Sequence, residues 1–192
     1  MTNYRKDHRA PPFKTESSQI VWSSPWYSVR QDQITLPDGS PGVFNVVQHS
    51  GAVWVIPVTS AGEIVLLYHY RHTVGDWCWE IPAGGLKDAM SREATARAEL
   101  LEEVGGTVAA IEYFGRFFTS NGISNEVAHI YIAIDVELGQ TSHEPAEVIE
   151  VHCKPIQEVL SMAHENKISD GPSALALLLC EKRLLALDKS NH

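Results

Sequence analysis

The sequence predicts an α+β domain with an α/β/α layered arrangement, in which a mixed β-sheet packs between helices behind a small antiparallel N-terminal part. Three observations support this prediction. β-Branched and aromatic runs separated by turn residues dominate residues 20–81, which favours strands. A capped helical segment follows, and two segments with helical apolar spacing close the chain. No repeat or low-complexity segment breaks this order, so one layered domain with a terminal extension is expected.

The N-terminal part is predicted to be a loose arm followed by a hairpin. Residues 1–18 are polar and carry an adjacent pair of prolines, which is typical of an irregular segment. From residue 20 to residue 48, β-branched and aromatic residues surround the turn Leu36-Pro37-Asp38-Gly39. At least one antiparallel hairpin is therefore expected in this part of the chain.

Turn residues and helix caps divide the rest of the chain. Strands are predicted on either side of turns such as Thr59-Ser60-Ala61-Gly62, at Ala52–Val58, Ile64–Tyr70, Trp79–Ile81, Ala109–Phe118, Val127–Asp135 and Val148–Val151. Ser91 is placed to cap a helix that runs through Val104 and ends at Gly105. Apolar spacing predicts two late helices, at Pro155–Asn166 and Ser173–Leu185.

Composition excludes several classes of protein. The formal net charge of -9 over 192 residues argues against a surface that neutralises nucleic-acid phosphates. The longest apolar run, residues 174–180, is too short to span a bilayer, so no membrane segment is expected. Three widely spaced cysteines indicate neither a disulfide framework nor a zinc site, which favours a reducing cytoplasm. The histidines form no metalloprotease or deaminase motif.

Three carboxylates mark the predicted central helix. Glu99, Glu102 and Glu103 stand at i, i+3 and i+4, so about 100° of rotation contains all three. Like charges about 6 Å apart on a helix repel, and a hard divalent cation such as Mg²⁺ relieves that repulsion. The apolar residues outside this face are expected to seat the helix on the sheet: Ala94, Ala98, Leu101 and Val104. On spacing alone, a solvated acidic face remains the alternative.

A longer pattern surrounds this helix. The box Gly-x5-Glu-x7-Arg-Glu-U-x-Glu-Glu-x-Gly-U, with U aliphatic, is matched without gaps at Gly84, Glu99, Leu100, Glu102, Glu103 and Gly105. The chain therefore resembles the Nudix hydrolases. Upstream, the run from Trp79 to Gly84 and the pair Tyr70-Arg71 are similar to segments of the ADP-ribose pyrophosphatases of that family. The resemblance covers about residues 20–185 and implies the Nudix fold.

Three positions depart from the box. Met90 stands where the family has Glu, Ala98 where it has Arg, and Gly106 at the final aliphatic position. Because two opposite charges are missing together, we expect apolar packing to have replaced an ion pair. The three metal-ligand positions remain, which favours retained activity. A non-catalytic nucleotide-binding domain with a degenerate box is the alternative.

The resemblance implies a metal-dependent enzyme with named ligands and a named base. Glu99, Glu102 and Glu103 would hold Mg²⁺, or Mn²⁺, with the carbonyl of Ala83 as a further ligand. Glu147, in the loop 138–147, best fits the family's catalytic base. Glu126 is its competitor, in the loop Ser120–Glu126 that looks like the family's Pro-Gly-x-Ser-x-Glu loop with Asn121 in place of proline. An exposed loop acid is the alternative for both.

Three further residues are candidates for substrate binding. Arg71 follows a predicted strand, and its guanidinium could grip two phosphate oxygens at once. Trp26 and Phe44 lie in the N-terminal hairpin, where dimeric relatives supply aromatics that stack on adenine. A surface arginine and ordinary core aromatics are the alternatives. Whether Trp77 and Trp79 face the core or a cleft stays open.

The resemblance also implies an organisation and a reaction. Residues 1–48 would form an N-terminal arm and hairpin that dimerises, exchanged between the two copies of a homodimer, and residues 49–192 the catalytic domain. The expected substrate is a small-molecule nucleotide: ADP-ribose or a related nucleotide sugar, split at its diphosphate to a nucleoside monophosphate and a sugar phosphate. A Nudix hydrolase of another nucleotide is the remaining alternative.

Overall fold

A computed structural model describes residues 9–87 and 89–188. The chain divides into two compact units, Met1–Gly51 with Phe117–Val127 and Ala52–Arg116 with Ala128–His192. The described residues form ten strands and three helices: β1 (Lys14–Ser23), β2 (Ser28–Thr35), β3 (Pro41–Gln48), β4 (Ala52–Thr59), β5 (Glu63–Arg71), β6 (Asp76–Glu80), β7 (Ala83–Gly85), α1 (Arg92–Val104), β8 (Ile111–Phe118), β9 (Val127–Val136), β10 (Ile149–Pro155), α2 (Ile156–His164) and α3 (Gly171–Leu185).

The first unit contains an antiparallel sheet in the order β1-β2-β3. The predicted hairpin is β2-β3, and its turn closes where the backbone N–H of Leu36 donates to the carbonyl of Ser40 at 2.8 Å. The predicted loose arm is too long, because β1 begins at Lys14. Cross-strand polar bonds explain the difference, since Ser18 donates to Asp32 at 2.6 Å and Thr35 donates to Glu16 at 2.8 Å. Residues 1–8 of the arm lie outside the described residues.

The second unit is built on a mixed sheet whose main path is β10-β5-β4-β9-β8. β4 and β9 run parallel, whereas β5 is antiparallel to β4, β6 and β10. The short strand β7 pairs with β4 and leads toward α1. The predicted mixed sheet is therefore confirmed.

Helices cover both faces of the central strands. One face packs against α1 through a buried apolar cluster: Val53, Val55, Val65, Leu67, Ala96, Leu100 and Val104. Alternate residues of the same strands, such as Ile56 and Leu66, point to the other face and are also fully buried. That face contacts α2 and α3. The α/β/α layering predicted from the sequence is confirmed, and it explains why every residue of β4 except the last is buried.

Helix α1 has the predicted ends but not the predicted orientation. Ser91 accepts a hydrogen bond from the backbone N–H of Ala94, and Gly105 closes the helix with a φ of 64°. The prediction that Leu101 lies in the apolar seam is wrong, because its side chain is 50% exposed. The helix is rotated so that its buried face contains Ala96, Leu100 and Val104 together with two of the glutamates, Glu99 and Glu103.

Two further observations concern the whole described chain. No helix among residues 9–87 and 89–188 is long and apolar enough to cross a membrane. The cysteines Cys78, Cys153 and Cys180 are free.

Candidate active site

The three box glutamates occupy different environments on α1. Glu99 and Glu103 lie one turn apart and are 8% and 5% exposed. Glu102 projects outward, with a side chain that is 48% exposed. A helix buries two carboxylates in this way only if polar groups or cations meet them, because an isolated buried charge is costly. The site is therefore defined by what surrounds Glu99 and Glu103.

The turn before the helix supplies part of that surrounding. The backbone N–H of Ala83, in β7, donates to Oε2 of Glu103 at 2.9 Å. Gly84 lies directly against Glu99, and a Cβ on Gly84 would come within 2.1 Å of the Glu99 carboxyl carbon. Glycine is needed here because the backbone and the carboxylate approach closely, which is the role of the first glycine of the box in this chain.

Burial and mutual repulsion act on both buried carboxyls. Burial raises the pKa of Glu103 well above its usual value, which the N–H of Ala83 opposes and the charges of Glu99 and Glu147 reinforce. Burial also raises the pKa of Glu99, and the ammonium of Lys87 opposes that shift. The cluster therefore favours a cation, because positive charge would stabilise both ionised carboxylates.

Lys87 is the functional candidate that the sequence analysis missed. Its Nζ lies 3.3 Å from Oε1 of Glu99 and 3.2 Å from Oε2 of Glu102. Although burial lowers it, pairing with these two glutamates leaves the pKa of Lys87 above its ordinary value. No short sequence pattern marked Lys87, because this lysine lies twelve and fifteen positions before the two glutamates that it contacts, Glu99 and Glu102.

The positions that depart from the box do not add a positive charge beside the glutamates. Arg97, beside Ala98, is directed elsewhere: it pairs with Glu93 at 3.0 Å and donates to the carbonyl of Val108 at 2.7 Å. Met90 is 40% exposed. The expected replacement of an ion pair by buried apolar packing is therefore wrong for Met90, because this residue is not buried.

The donor set suits a hard divalent cation. Carboxylate oxygens and backbone carbonyls are the ligands that Mg²⁺ and Mn²⁺ prefer, and the absence of a Cβ at Gly84 lets the Glu99 carboxylate approach the backbone of the turn. Among the described residues, however, no group of three His, Cys, Asp or Glu side chains is arranged to hold a metal ion. The reason is geometric: Lys87 engages Glu99 and Glu102, while Glu103 is turned to the N–H of Ala83.

A second charged cluster lies at the end of β5, on the face of the sheet that packs against α1. Arg71 donates through Nε and Nη2 to the buried Glu80, at 2.9 Å and 2.6 Å. Bonding to Glu80 raises the pKa of Arg71, to which the charge of Glu103 also contributes. Arg71 is thus anchored by one edge, while its side chain remains 42% exposed. The hydrogen bonds to Glu80 thus position the guanidinium near Glu103 of the acidic helix.

His69 lies beneath this pair and was not singled out by the sequence. Its side chain is 6% exposed, and its Nδ1 is 3.9 Å from Oε2 of Glu80. Nδ1 makes no hydrogen bond within the described residues. Burial, with the nearby charge of Arg71, lowers the pKa of His69 to about 4, so the ring is neutral at pH 7.

The two candidate bases lie in different units. Glu147 belongs to a loop that is tied to the C-terminal end of α1, where the N–H of Ser142 donates to the carbonyl of Glu102 at 2.8 Å and Nε2 of His143 is 2.7 Å from the carbonyl of Glu103. Its charge raises the pKa of both buried glutamates. Glu126 accepts from Thr119 at 2.7 Å and pairs with His49 at 3.1 Å, within the first unit.

The two hairpin aromatics are exposed within the first unit. Trp26 is 76% exposed and lines a shallow cavity of about 320 Å³ between Ser24 and Ser50. Phe44 is 47% exposed and contacts Phe13 edge to face, with 5.7 Å between ring centroids. Neither side chain is a buried core residue of the described chain, so core packing does not explain them.

Trp77 and Trp79 are on the face of the sheet away from α1. Leu67 packs in the α1 cluster, so the next residue, Tyr68, points to the other face. Both tryptophan rings flank Tyr68, with centroids 5.1 Å and 4.6 Å from it. The three rings line an open groove of about 570 Å³ beside α2. The open question about Trp77 and Trp79 is thereby answered, since they face a groove outside the core.

Comparison with known proteins agrees with this geometry. A model of the NUDIX domain matches residues 48–176, and a model of the nucleoside diphosphate sugar hydrolase N-terminal domain matches residues 13–47. An ADP-ribose pyrophosphatase of Bacillus subtilis (strain 168) is 28% identical over 166 residues, which are 85% of this chain and 90% of that protein. An ADP-ribose pyrophosphatase of Mycobacterium tuberculosis is 35% identical over 140 residues, 71% of this chain and 68% of that protein.

A relative with another name and a solved structure also match this chain. A methanol dehydrogenase activator of Bacillus methanolicus is 30% identical over 169 residues, 85% of this chain and 90% of that protein. A crystal structure of an ADP compounds hydrolase superposes with a TM-score of 0.80, covering 94% of this chain and 98% of that chain at 15% identity. At that identity the likeness shows a shared fold.

Proposed function

The chain belongs to the Nudix family, and we propose that it hydrolyses the diphosphate bond of ADP-ribose or a related nucleotide sugar to a nucleoside monophosphate and a sugar phosphate. The observation that carries the proposal is the pair of buried carboxylates, Glu99 and Glu103, held one helical turn apart against the Gly84 turn. The match of residues 13–47 to a module of nucleoside diphosphate sugar hydrolases supports the substrate class.

Nudix hydrolases use divalent metal ions, and we assign Mg²⁺, with Mn²⁺ as its substitute, to the acidic face of α1. Glu99, Glu102 and Glu103 would hold it together with the carbonyl of Ala83. When bound, the cation supplies positive charge that polarises a phosphoryl oxygen and lowers the pKa of water. The burial of Glu99 and Glu103 on one face of α1 and the close approach of Glu99 to the Gly84 turn support this assignment.

The remaining steps fall to side chains of the chain itself. Glu147 accepts a proton from the attacking water, whose oxygen forms a new bond to one phosphorus while the bond from that phosphorus to the bridging oxygen breaks. The released phosphate takes the bridging oxygen with it. Arg71, anchored by Glu80, meets the pyrophosphate oxygens with the rest of its guanidinium. Glu147 is preferred to Glu126 because its charge is coupled to Glu99 and Glu103.

The N-terminal sheet supports a homodimer in which this part is exchanged between copies. Each residue of β1 is exposed, and apolar side chains cover the sheet: Phe13, Ile20, Val21, Trp22, Tyr27, Val43 and Phe44 are all more than 40% exposed. A patch of this kind marks a contact surface, and a two-fold partner would bury it. Trp26 and Phe44 would then be available to stack on the nucleobase.

The cytoplasmic location inferred from the unpaired cysteines remains a prediction.

A product assay tests the proposed activity. Wild-type protein is incubated with Mg²⁺ and a panel containing ADP-ribose, other ADP-sugars, GDP-mannose and nucleoside triphosphates, and the products are separated by chromatography. We expect AMP and ribose 5-phosphate from ADP-ribose, and at least about a hundredfold less product from Glu103→Gln. Binding of ADP-ribose without turnover would instead support a non-catalytic domain, and preferential cleavage of a triphosphate would support a different nucleotide.

A further inference from the structure

Lys87 contacts the acidic face of α1. Its ammonium is within 3.3 Å of Glu99 and 3.2 Å of Glu102, so one positive charge already bridges two of the three box carboxylates. Glu99 is nearly buried, with a side chain that is 10% exposed, whereas Lys87 is 46% exposed. The contact therefore joins a fixed carboxylate to a long side chain that can also reach solvent.

The two kinds of cation need the same oxygen atoms. A carboxylate that coordinates Mg²⁺ or Mn²⁺ does so at about 2.1 Å, which leaves no place for an ammonium at hydrogen-bond distance on the same side. Positive charges also repel when they share a ligand. Arg97 on the same helix is bonded to Glu93 and to the carbonyl of Val108, so it does not take part in this exchange.

We propose that Lys87 is a built-in counter-ion that competes with the divalent cation for Glu99 and Glu102, so that the cation binds as the lysine side chain swings out toward solvent. This inference rests on the proposed function, because it assumes that these glutamates bind metal. It assigns Lys87 two effects: it stabilises the fold when metal is scarce, and it weakens metal affinity. Half-saturation with metal would thus need a higher concentration of the divalent cation than it would without Lys87.

The flexibility and solvation of Lys87 make the exchange feasible. The side chain is one of the longest in proteins and its ammonium is strongly hydrated, so release into water costs little. Its partner Glu102 is equally exposed, at 48%. An ion pair that is exposed on both sides is weak, so the loss of the Lys87–Glu102 pair is readily outweighed by a divalent ion.

Replacing the charge while keeping the length of the side chain tests this proposal. In Lys87→Met we expect Mn²⁺, titrated by electron paramagnetic resonance, to bind about threefold to tenfold more tightly, as the loss of two weak ion pairs predicts. Without metal, in EDTA, we expect the melting temperature to fall by about 1 to 4 °C, because Glu99 loses its counter-ion. Saturating Mn²⁺ should therefore raise the melting temperature more in Lys87→Met than in the wild type.

Lys167→Met is the matched control. It removes the same charge from an exposed ion pair with Glu165 at 2.7 Å, and neither quantity should change by more than the experimental error. Equal or weaker Mn²⁺ affinity in Lys87→Met would overturn the proposal, since the ammonium would then be neutral or helpful. A wild-type protein that binds Mn²⁺ but cleaves no nucleotide would overturn the proposed activity alone, whereas one that binds no Mn²⁺ would overturn both.

Discussion

The close approach of Gly84 to Glu99 makes Gly84→Ala a sharp probe of the site. The added Cβ would lie 2.1 Å from the Glu99 carboxyl carbon and 2.3 Å from Oε2. Carbon atoms in contact sit at about 3.5 Å or more, so the carboxyl group must move by roughly 1.4 Å. A displacement of about 1 Å in a reacting group can cost about a hundredfold in rate. We therefore expect kcat/KM to fall by at least about a hundredfold.

The same substitution should leave a folded protein. Forcing a methyl group into a packed site costs about 1 to 3 kcal/mol, which lowers the melting temperature of a chain of this size by roughly 2 to 12 °C. The end of the Glu99 side chain can rotate, which favours the lower part of this range. Circular dichroism and a thermal scan would establish that folding is retained before rates are compared.

The assay combines turnover with metal binding. Initial rates of ADP-ribose cleavage at varied Mg²⁺ give kcat/KM, and titration with Mn²⁺ gives the metal affinity, which should also weaken because Glu99 is displaced. Gly115→Ala is the control, since a Cβ on Gly115 meets no atom within 4 Å. If Gly84→Ala kept wild-type kcat/KM and wild-type Mn²⁺ affinity, Glu99 could not be the ligand that we assign.

The catalytic base, a buried histidine and the N-terminal sheet can each be tested separately. Glu147→Gln should lower kcat by about 10² to 10⁴ with Mg²⁺ affinity nearly unchanged, and a larger loss in Glu126→Gln would transfer the role of base to that residue. Burial lowers the pKa of His129 from 6.5 to about 4, so its contribution to stability is complete above pH 6.5 and is lost as the pH falls toward 4. Between pH 7 and pH 5, the free energy of unfolding, measured in urea, should therefore fall less steeply in His129→Gln than in the wild type. The two slopes should differ by up to about 1.4 kcal/mol per pH unit, and equal slopes would contradict this reasoning. If the N-terminal sheet is exchanged in a dimer, and if Trp26→Ala alone is severely impaired, mixing Trp26→Ala with Glu103→Gln should restore up to about half the wild-type activity per heterodimer. No recovery, after subunit exchange has been verified, would rule out a cleft that takes Trp26 from the neighbour.

The sequence by itself determined the local features of this protein. Ser91 and Gly105 mark the two ends of α1 because capping and a positive φ depend on the residues at those positions. Turn residues between alternating segments located most strands within a few residues. The box spacing, with the segments before it, identified the family and the three acidic positions of α1. Each of these features depends on neighbours that are close in the chain.

Only the tertiary structure decided how these elements face one another. The spacing of Glu99, Glu102 and Glu103 permits several rotations of α1, and packing on the sheet selected the one that buries Glu99 and Glu103 and exposes Leu101. The three carboxylates occupy the same helical positions in either case, but they differ in burial and in partners.

Side-chain partners from distant parts of the chain were also decided by the fold. The pairing of Lys87 with Glu99 and of Arg71 with Glu80 depends on how the turns return to the helix and to the neighbouring strand. The position of Trp77 on the groove depends on which face of the sheet packs against α1. A pattern along the chain records spacing, whereas these contacts arise from the folding of separate elements against each other, and so their ion pairs and burial could not be read from the sequence.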